Sequence, residues 1–480
     1  MNNAPHIAIL GGGPAGLGAA HKLASGGIAR VTLLERNDRV GGNAGSFDLD
    51  GLHVDYGSHR LHPACAPEVL QDIGMLLGED LLDRPRHGRI HLRGRWIHFP
   101  LKPLDLALSV HPGFVFGIGA DLVRKVSKEA KISTSQETFA SVMERGLGRT
   151  ICNDFYFPYA RKIWGLEPEE LSATQARRRV SNSSLARMFR KVLSAIPGLK
   201  PKGSGRFFYP RNGFGQISEA YHLAALSAGA DICLNANVKS VEIRGNPGQS
   251  DRFKIDYEDD QLQQSTFASQ VWSTIPITLL ARMIKPGPPN DLLTATFQID
   301  YRAMILVYLL LEQDRFSEYD AHYFPEKNIA ITRLSEPKNY SNRHDLPGKT
   351  VLCAELPCSP QSPEWTMTEE DLGRLVKDSL ATAGIPVQAP VRQVVVKRLR
   401  NAYPIYRQGY EEFFDPLDLW VGSIDGLLTF GRQGLFAHDN THHALFMAYS
   451  AVKCVKPDGG FDTTKWQEYR LIFETHVVED

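Results

Sequence analysis

The sequence predicts an α/β fold in which one strand–helix–strand domain, assembled from separated segments, is interleaved with a second domain of mixed α+β character. Three observations predict it. A short apolar strand, His6–Leu10, runs into the glycine-rich turn Gly11-Gly-Gly-Pro-Ala-Gly16 and then a helical pattern with Leu17, Ala20 and Leu23 on one face. A second strand, Val31–Leu34, follows that helix and ends at Glu35. Far downstream a long apolar run, Ala303–Leu311, reads as a buried strand of a different unit.

Length and charge bound the answer. At roughly 100–200 residues per domain, 480 residues make two or three folding units. Lys plus Arg and Asp plus Glu are 54 each, and no basic run exceeds Arg177–Arg179, so the chain carries no electrostatic footprint for nucleic acid. Cys65, Cys152, Cys233, Cys353, Cys358 and Cys454 form no CxxC pair and no metal-ligand spacing. Reduced thiols and a cytoplasmic location are therefore expected, and no charged-then-apolar signal segment precedes the first strand. The most apolar window, Leu104–Val123, contains Asp105, His111, Pro112 and Asp121, which rule it out as a spanning helix. It reads as a buried helix or as a surface-lying peripheral membrane contact.

Gly11, Gly13 and Gly16 have the G-x-G-x-x-G spacing between strand and helix. Gly11 serves the tight turn, Gly13 lets backbone approach a pyrophosphate, and Gly16 lets the helix pack closely on the strand. The helix opens at Pro14 and Ala15, and its free N–H groups and positive dipole end suit phosphate. A second strand, Val31–Leu34, delivers Glu35, where a carboxylate accepts bonds from ribose hydroxyls. In that order these elements form a Rossmann-type dinucleotide-binding start.

After Glu35 comes Arg36-Asn-Asp-Arg-Val-Gly41-Gly42-Asn43-Ala44. This resembles the second flavin fingerprint, so the dinucleotide is expected to be FAD. The two-part match is similar to the superfamily of amine oxidases, protoporphyrinogen oxidases, phytoene desaturases and UDP-galactopyranose mutases. The resemblance implies FAD contacts at Arg36, Gly41, Gly42 and Asn43, at Val238 against the adenine, and at Thr274, where a strand returns to the pyrophosphate. It also implies contacts at Gly431 and Arg432, and at Asn440 and His442, where a helix N-terminus faces the flavin and stabilises negative charge on its reduced form. Asn440 reads equally as a plain N-cap. FAD-binding pieces are thus expected at 1–90, 204–290 and 416–480. A helical insertion fills 91–203, a sheet-containing substrate domain fills 291–415, and the active site lies at their junction.

Four further stretches narrow the resemblance: Tyr56-Gly-Ser-His59-Arg-Leu-His62, Tyr159-Ala-Arg-Lys-Ile-Trp164-Gly165, Asp300-Tyr-Arg302-Ala and Ile331-Thr-Arg333-Leu-Ser-Glu-Pro-Lys338. They look like UDP-galactopyranose mutases and their protoporphyrinogen-oxidase-like sister group. The resemblance implies His59 near the flavin ring, Arg302 on a substrate diphosphate, and Trp164 and Arg333 on the substrate. His59 and Arg302 are the catalytic candidates. An arginine fork suits a diphosphate because it makes paired charge-assisted hydrogen bonds.

Structural readings stand beside these. Arg302 also reads as a partner of Asp300, Arg333 as a surface arginine, Trp164 as core, and His59 and His62 as satisfied histidines. Tyr406, with Tyr403 and Tyr410, reads as a packed aromatic strand or as part of the substrate wall. His438, His442 and His443 complete no ligand set, so no metal is expected.

Two departures from the mutase pattern matter. Arg179-Val-Ser-Asn-Ser183 lacks the proline and second arginine of an Arg-x-Pro-x-Arg stretch. Asn440-Thr-His442-His443 stands where relatives show an Asn-x-Asp type sequence. The expectation is an FAD-dependent oxidoreductase moving hydride between flavin N5 and a small organic molecule of anionic, glycan or secondary-metabolite type. A redox-neutral UDP-sugar mutase using reduced FAD is the alternative. Oligomeric state is left open.

Overall fold

The computed structural model describes residues 4–99, 113–114, 116–118, 120–121, 137–178, 205–259, 261–341 and 346–478. Most of Leu104–Val123 and all of Arg179–Ser183 lie outside the described residues.

The strand His6–Leu10 is buried along its whole length. It is the middle of a five-stranded parallel sheet in the order Leu427–Thr429, Gln270–Ser273, His6–Leu10, Arg30–Leu34, Asp231–Cys233. Alternate side chains leave on opposite faces. Ile7 and Ile9 join a core with the helices Pro14–Ser25, Gln216–Ser227 and Thr441–Val452. Ala8 and Leu10 join a core with an antiparallel meander, Asn237–Ile243, Phe253–Asp259 and Leu262–Ala268. Both faces are covered, which is why these strands read as unbroken apolar runs. This is the Rossmann-type domain, and its strands come from widely separated parts of the chain.

The run Ala303–Leu311 lies in the strand Tyr301–Leu311 of a seven-stranded sheet. The order is Val391–Pro404, Tyr301–Leu311, Thr350–Cys358, Arg333–Ser335, Ala321–Tyr323, Gly88–Leu92, Arg95–Phe99. All its pairs are antiparallel except Ala321–Tyr323 with Gly88–Leu92. The boundary expected at 90 therefore falls inside a strand, and Gly88–Phe99 belongs with the second sheet. The cause is non-local: the partner strand Ala321–Tyr323 lies far downstream, where no short-range pattern announces it. Helices Phe139–Leu147 and Phe157–Trp164 share a core with Leu92 and Ile97 of this edge hairpin.

His6 and His322 are among the histidines buried in these sheets. His6 donates from Nε2 to the Thr32 hydroxyl at 2.9 Å and receives Arg30 Nη2 at Nδ1, 2.7 Å away. Burial and the Arg30 charge push its pKa down to about 4. His322 is pushed down to about 3 by burial and by Arg89. Both stay neutral in the folded chain where an ordinary imidazole, near 6.5, takes a proton. Their folded values lie below the unfolded value, so the unfolded chain binds more protons below about pH 6.5 and stability falls as pH drops from there toward about 4. Denaturant midpoints should be lower at about pH 5 than at about pH 7.5, with a smaller difference in His6→Gln. Equal midpoints at the two pH values would contradict this.

Candidate functional site

Three separated stretches, at Gly41-Gly42, Thr274 and Gly431, converge on the glycine turn. Gly11 has φ +103°, and a Cβ there would lie 2.5 Å from Thr274 Oγ1. The Thr274 hydroxyl donates to the Leu10 carbonyl at 2.9 Å, holding the returning strand against the turn. Gly41 has φ +98° and donates its N–H to the Gly12 carbonyl at 2.8 Å. This seats the second fingerprint on the first, and a Cβ on Gly42 would fall 3.6 Å from Gly13 Cα. Gly431 packs on Ala15, a Cβ there falling 2.8 Å from the Ala15 methyl. Gly13 itself faces open space: no atom lies within 4 Å of a Cβ built on it. That opening stands at the start of the helix that begins with Pro14, where unpaired N–H groups point outward.

Glu35 is buried at the end of its strand. Its Oε2 accepts from Gly12 N at 2.6 Å and its Oε1 from Asn37 N at 2.9 Å. The Cys233 carbonyl accepts from Glu35 N at 2.9 Å, and the Glu35 carbonyl from Ala236 N at 2.8 Å. These bonds carry the next strand, with buried Val238, to the Glu35 side of the turn. Arg36 is exposed at the surface. Arg39, which sequence reasoning passed over, lies 3.7 Å over the Tyr56 ring and donates to the Gly42 carbonyl at 3.4 Å. An opening at Gly13, a helix N-terminus and a buried carboxylate one strand away fit the pyrophosphate and ribose of FAD.

The two domains meet at the end of the strand Val391–Pro404. The Asn401 carbonyl accepts from Asn43 Nδ2 at 3.2 Å and from Gln433 Nε2 at 2.7 Å. Arg432 donates to the Ala402 carbonyl at 2.6 Å and lies 4.9 Å over the Tyr403 ring. Tyr403 meets His438 edge-on at 5.1 Å, and His438 meets Trp164 at 6.4 Å. Trp164 is buried against Phe139, so it packs as core while one edge reaches this cluster. His59 donates from Nε2 to the Asn43 and Tyr56 carbonyls at 2.9 and 3.0 Å and stacks on Phe214. Burial pushes its pKa below the ordinary value, so the neutral ring serves as a brace for the Asn43 loop. At the N-terminus of the helix Thr441–Val452, Asn440 N donates to His443 Nδ1 at 3.3 Å. The neighbouring His442 is buried, with its pKa pushed down to about 3.

Arg333 is mostly enclosed rather than on the open surface, its side chain 11% exposed. It forks onto Glu355, Nε to Oε1 and Nη2 to Oε2, both at 2.9 Å. Glu355 Oε1 also accepts from Ser58 N at 2.8 Å, tying the arginine to the turn that carries His59. Glu355 was missed by sequence reasoning, although its signal was present. It is the one charged residue in the otherwise apolar strand Thr350–Cys358.

Two expected substrate contacts are engaged elsewhere. Arg302 donates from Nε to the Ile163 carbonyl at 2.9 Å, and from Nη2 to the Lys162 and Pro357 carbonyls, each at 3.3 Å. Its Nη1 abuts Gly165, where a Cβ would lie 2.6 Å away. The guanidinium thus closes the C-terminal end of the helix Phe157–Trp164 and satisfies carbonyls that have no helical partner. Asp300 pairs with Arg407 at 3.8 Å, not with Arg302. Tyr406, 2% exposed, donates to the Phe436 carbonyl at 2.8 Å and accepts from His438 N at 2.9 Å, so it is core and Tyr403 is the tyrosine at the junction. Of the arginines beside the missing second diphosphate arginine, Arg179 lies outside the described residues and the other two are occupied. Arg177 pairs with Glu137, and Arg178 donates to the Phe473 carbonyl at 2.6 Å. Arg302→Ala should lower unfolding free energy by about 1.5–3 kcal/mol, the worth of charge-assisted hydrogen bonds. A variant with an unshifted denaturant midpoint would contradict the helix-closing role.

A family model for flavin-containing amine oxidoreductases matches residues 14–433. Among curated proteins, the chain is 28% identical over 173 residues to protoporphyrinogen oxidase 2, chloroplastic/mitochondrial, of Arabidopsis thaliana, covering 35% of this chain and 34% of that protein. It is 28% identical over 180 residues to a probable UDP-galactopyranose mutase of Klebsiella pneumoniae, covering 37% and 45%. The matched stretches span less than half the length of these relatives. Among solved structures, reduced UDP-galactopyranose mutase superposes with a TM-score of 0.80 at 21% identity over 99% of this chain and 100% of the other. A putative protoporphyrinogen oxidase from Exiguobacterium sp. 255-15 superposes with a TM-score of 0.70 at 18% identity over 94% and 98%. At these identities the structural likeness speaks for the fold. Among the described residues no helix is long and apolar enough to cross a membrane. The family model covers most of the chain, and the protein belongs to the flavin-containing amine oxidoreductase family, with FAD as its cofactor.

Proposed function

We propose that this enzyme moves a hydride between flavin N5 and a carbon of a small organic substrate held where the two domains meet. The observation that carries the reading is the gathering of Asn43, Arg432 and Gln433 on the strand end at Asn401–Tyr403. It joins the dinucleotide cradle to the second sheet in one cluster with His438 and Trp164. FAD, when bound, supplies the redox chemistry; the chain positions both partners and excludes water. Gly11, Gly13, Pro14, Ala15 and Gly16 take the pyrophosphate, with Glu35 on the ribose and Val238 by the adenine. Gly41, Gly42, Asn43, Thr274, Gly431 and Arg432 complete the cradle. Asn440 and His442 stand at a helix N-terminus whose dipole favours negative charge on the flavin side. Tyr403, half-buried at the junction, is the polar group offered to the substrate, with His438 buried behind it against Gln175. The reading assigns no anion-binding role to Arg302, tied to a helix end, or to Arg333, neutralised by Glu355.

One observation favours a second reading, a redox-neutral sugar mutase: the whole-chain superposition on UDP-galactopyranose mutase. Arg177 and Arg178, engaged with Glu137 and Phe473, weigh against it.

Two measurements test these readings. Gly13→Val puts a branched side chain into the opening at the helix start, so the purified, folded variant should lack flavin absorbance; a yellow variant would remove the pyrophosphate from that opening. Anaerobically reduced holoenzyme incubated with UDP-galactopyranose should leave the sugar unchanged. Conversion to the furanose form at about one turnover per second or faster, with flavin still reduced, would overturn hydride transfer in favour of the mutase.

A further inference from the structure

We propose that Asp439, His443 and His476 bind a divalent transition-metal ion of the zinc class, which fastens the C-terminal tail to the first turn of the helix Thr441–Val452. One donor atom from each of the three side chains falls within 4.8 Å of the others. Asp439 Oδ2 lies 2.9 Å from His476 Nδ1, and Asp439 Oδ1 lies 3.7 Å from His443 Nδ1. With metal–ligand bonds of about 2.0–2.1 Å, the edge of a tetrahedron is about 3.3 Å; the two gaps involve different oxygens of Asp439, so the carboxylate must turn to bring one oxygen to an ion shared with both histidines. Two imidazoles and a carboxylate, with a fourth position for water, are a donor set that zinc accepts. Asp439 lies just before the N-cap Asn440 and His443 lies in the first turn of the helix, so both stand at the same helix end. His476 arrives from beyond the helix Thr463–Glu474, which makes the ion a clasp between two ends of the C-terminal region.

One further observation points to a ligand. Nδ1 of His442, a residue 6% exposed whose ring lies 4.1 Å from that of His443, has no hydrogen-bond partner, which is uncommon for a buried polar atom. The Asp439 side chain is 0% exposed, and its Oδ1 makes no hydrogen bond but faces the Arg178 guanidinium as an ion pair.

Three features oppose the ion and set the terms of the test. The Asn440 N–H, 3.3 Å from His443 Nδ1, occupies that nitrogen's lone pair and must give way to the ion. Arg178 Nη1 stands 3.5 Å from Asp439 Oδ1, a like charge that weakens affinity. The rings of His443 and His476 are stacked, 12° apart in plane, so His476 must turn and carry its proton on Nε2 to offer Nδ1.

The holoenzyme, stripped with chelator, is titrated with Zn²⁺ alone by calorimetry, and its Tm is recorded with and without Zn²⁺. One ion per chain should bind with a Kd of about 10 μM or tighter and raise Tm. His476→Ala and Asp439→Asn should each weaken binding by about tenfold or more and abolish the Tm rise. Arg178→Gln should tighten it, and His53→Ala, an exposed histidine elsewhere, should leave it unchanged. If Asp439→Asn does not fold, His476→Ala, in the tail, decides alone. Binding that is weak, of several ions per chain, or equal in His476→Ala and the parent protein would overturn the site.

Discussion

A methyl group on Gly16 would lie 2.0 Å from the Gly11 carbonyl oxygen, so the helix Pro14–Ser25 approaches the strand His6–Leu10 only because that methyl is missing. From this close approach the rest of the site follows. The helix start is held beside the strand end, Gly12 reaches the Glu35 carboxylate, and the Gly12 carbonyl receives Gly41. Gly42 then stands against Gly13 while the space over Gly13 stays open. Thr274 and Gly431 reach the turn at the ends of neighbouring parallel strands, because the sheet carries them there in register. Ligands of such sheets lie outside the carboxyl ends of the strands for the same geometric reason.

Charged groups at the junction are satisfied within the protein before a substrate arrives. Arg302 closes a helix, Arg333 and Glu355 neutralise each other, and Asp439 meets Arg178 and His476. Buried charges persist only when paired, and each pair here also joins pieces distant in sequence. Glu355 ties the second sheet to the His59 turn, and Arg302 ties it to the helical insertion. The same pairing that builds the junction holds these arginines on partners within the protein.

What could be read from sequence was what local spacing encodes. The strand, the glycine turn, Glu35 and the Gly41-Gly42 pair act over a few dozen residues, and each lies where the spacing implied. Arg36 and Arg39 show the limit: both follow Glu35 closely, and only packing against Tyr56 distinguishes them. Arg302 and Tyr406 were singled out by resemblance, but their partners are backbone carbonyls that carry no sequence signature. Asp439 meets His476 across the length of a helix, so no ligand spacing could suggest their encounter.

The central claim is that these converging turns make a cradle for FAD, and the most direct test is to identify and count what the protein carries. Denaturing the purified chain and separating the released cofactor by chromatography should give FAD at about one molecule per chain. Released FMN, or a folded chain that remains colourless after incubation with excess FAD, would contradict the cradle.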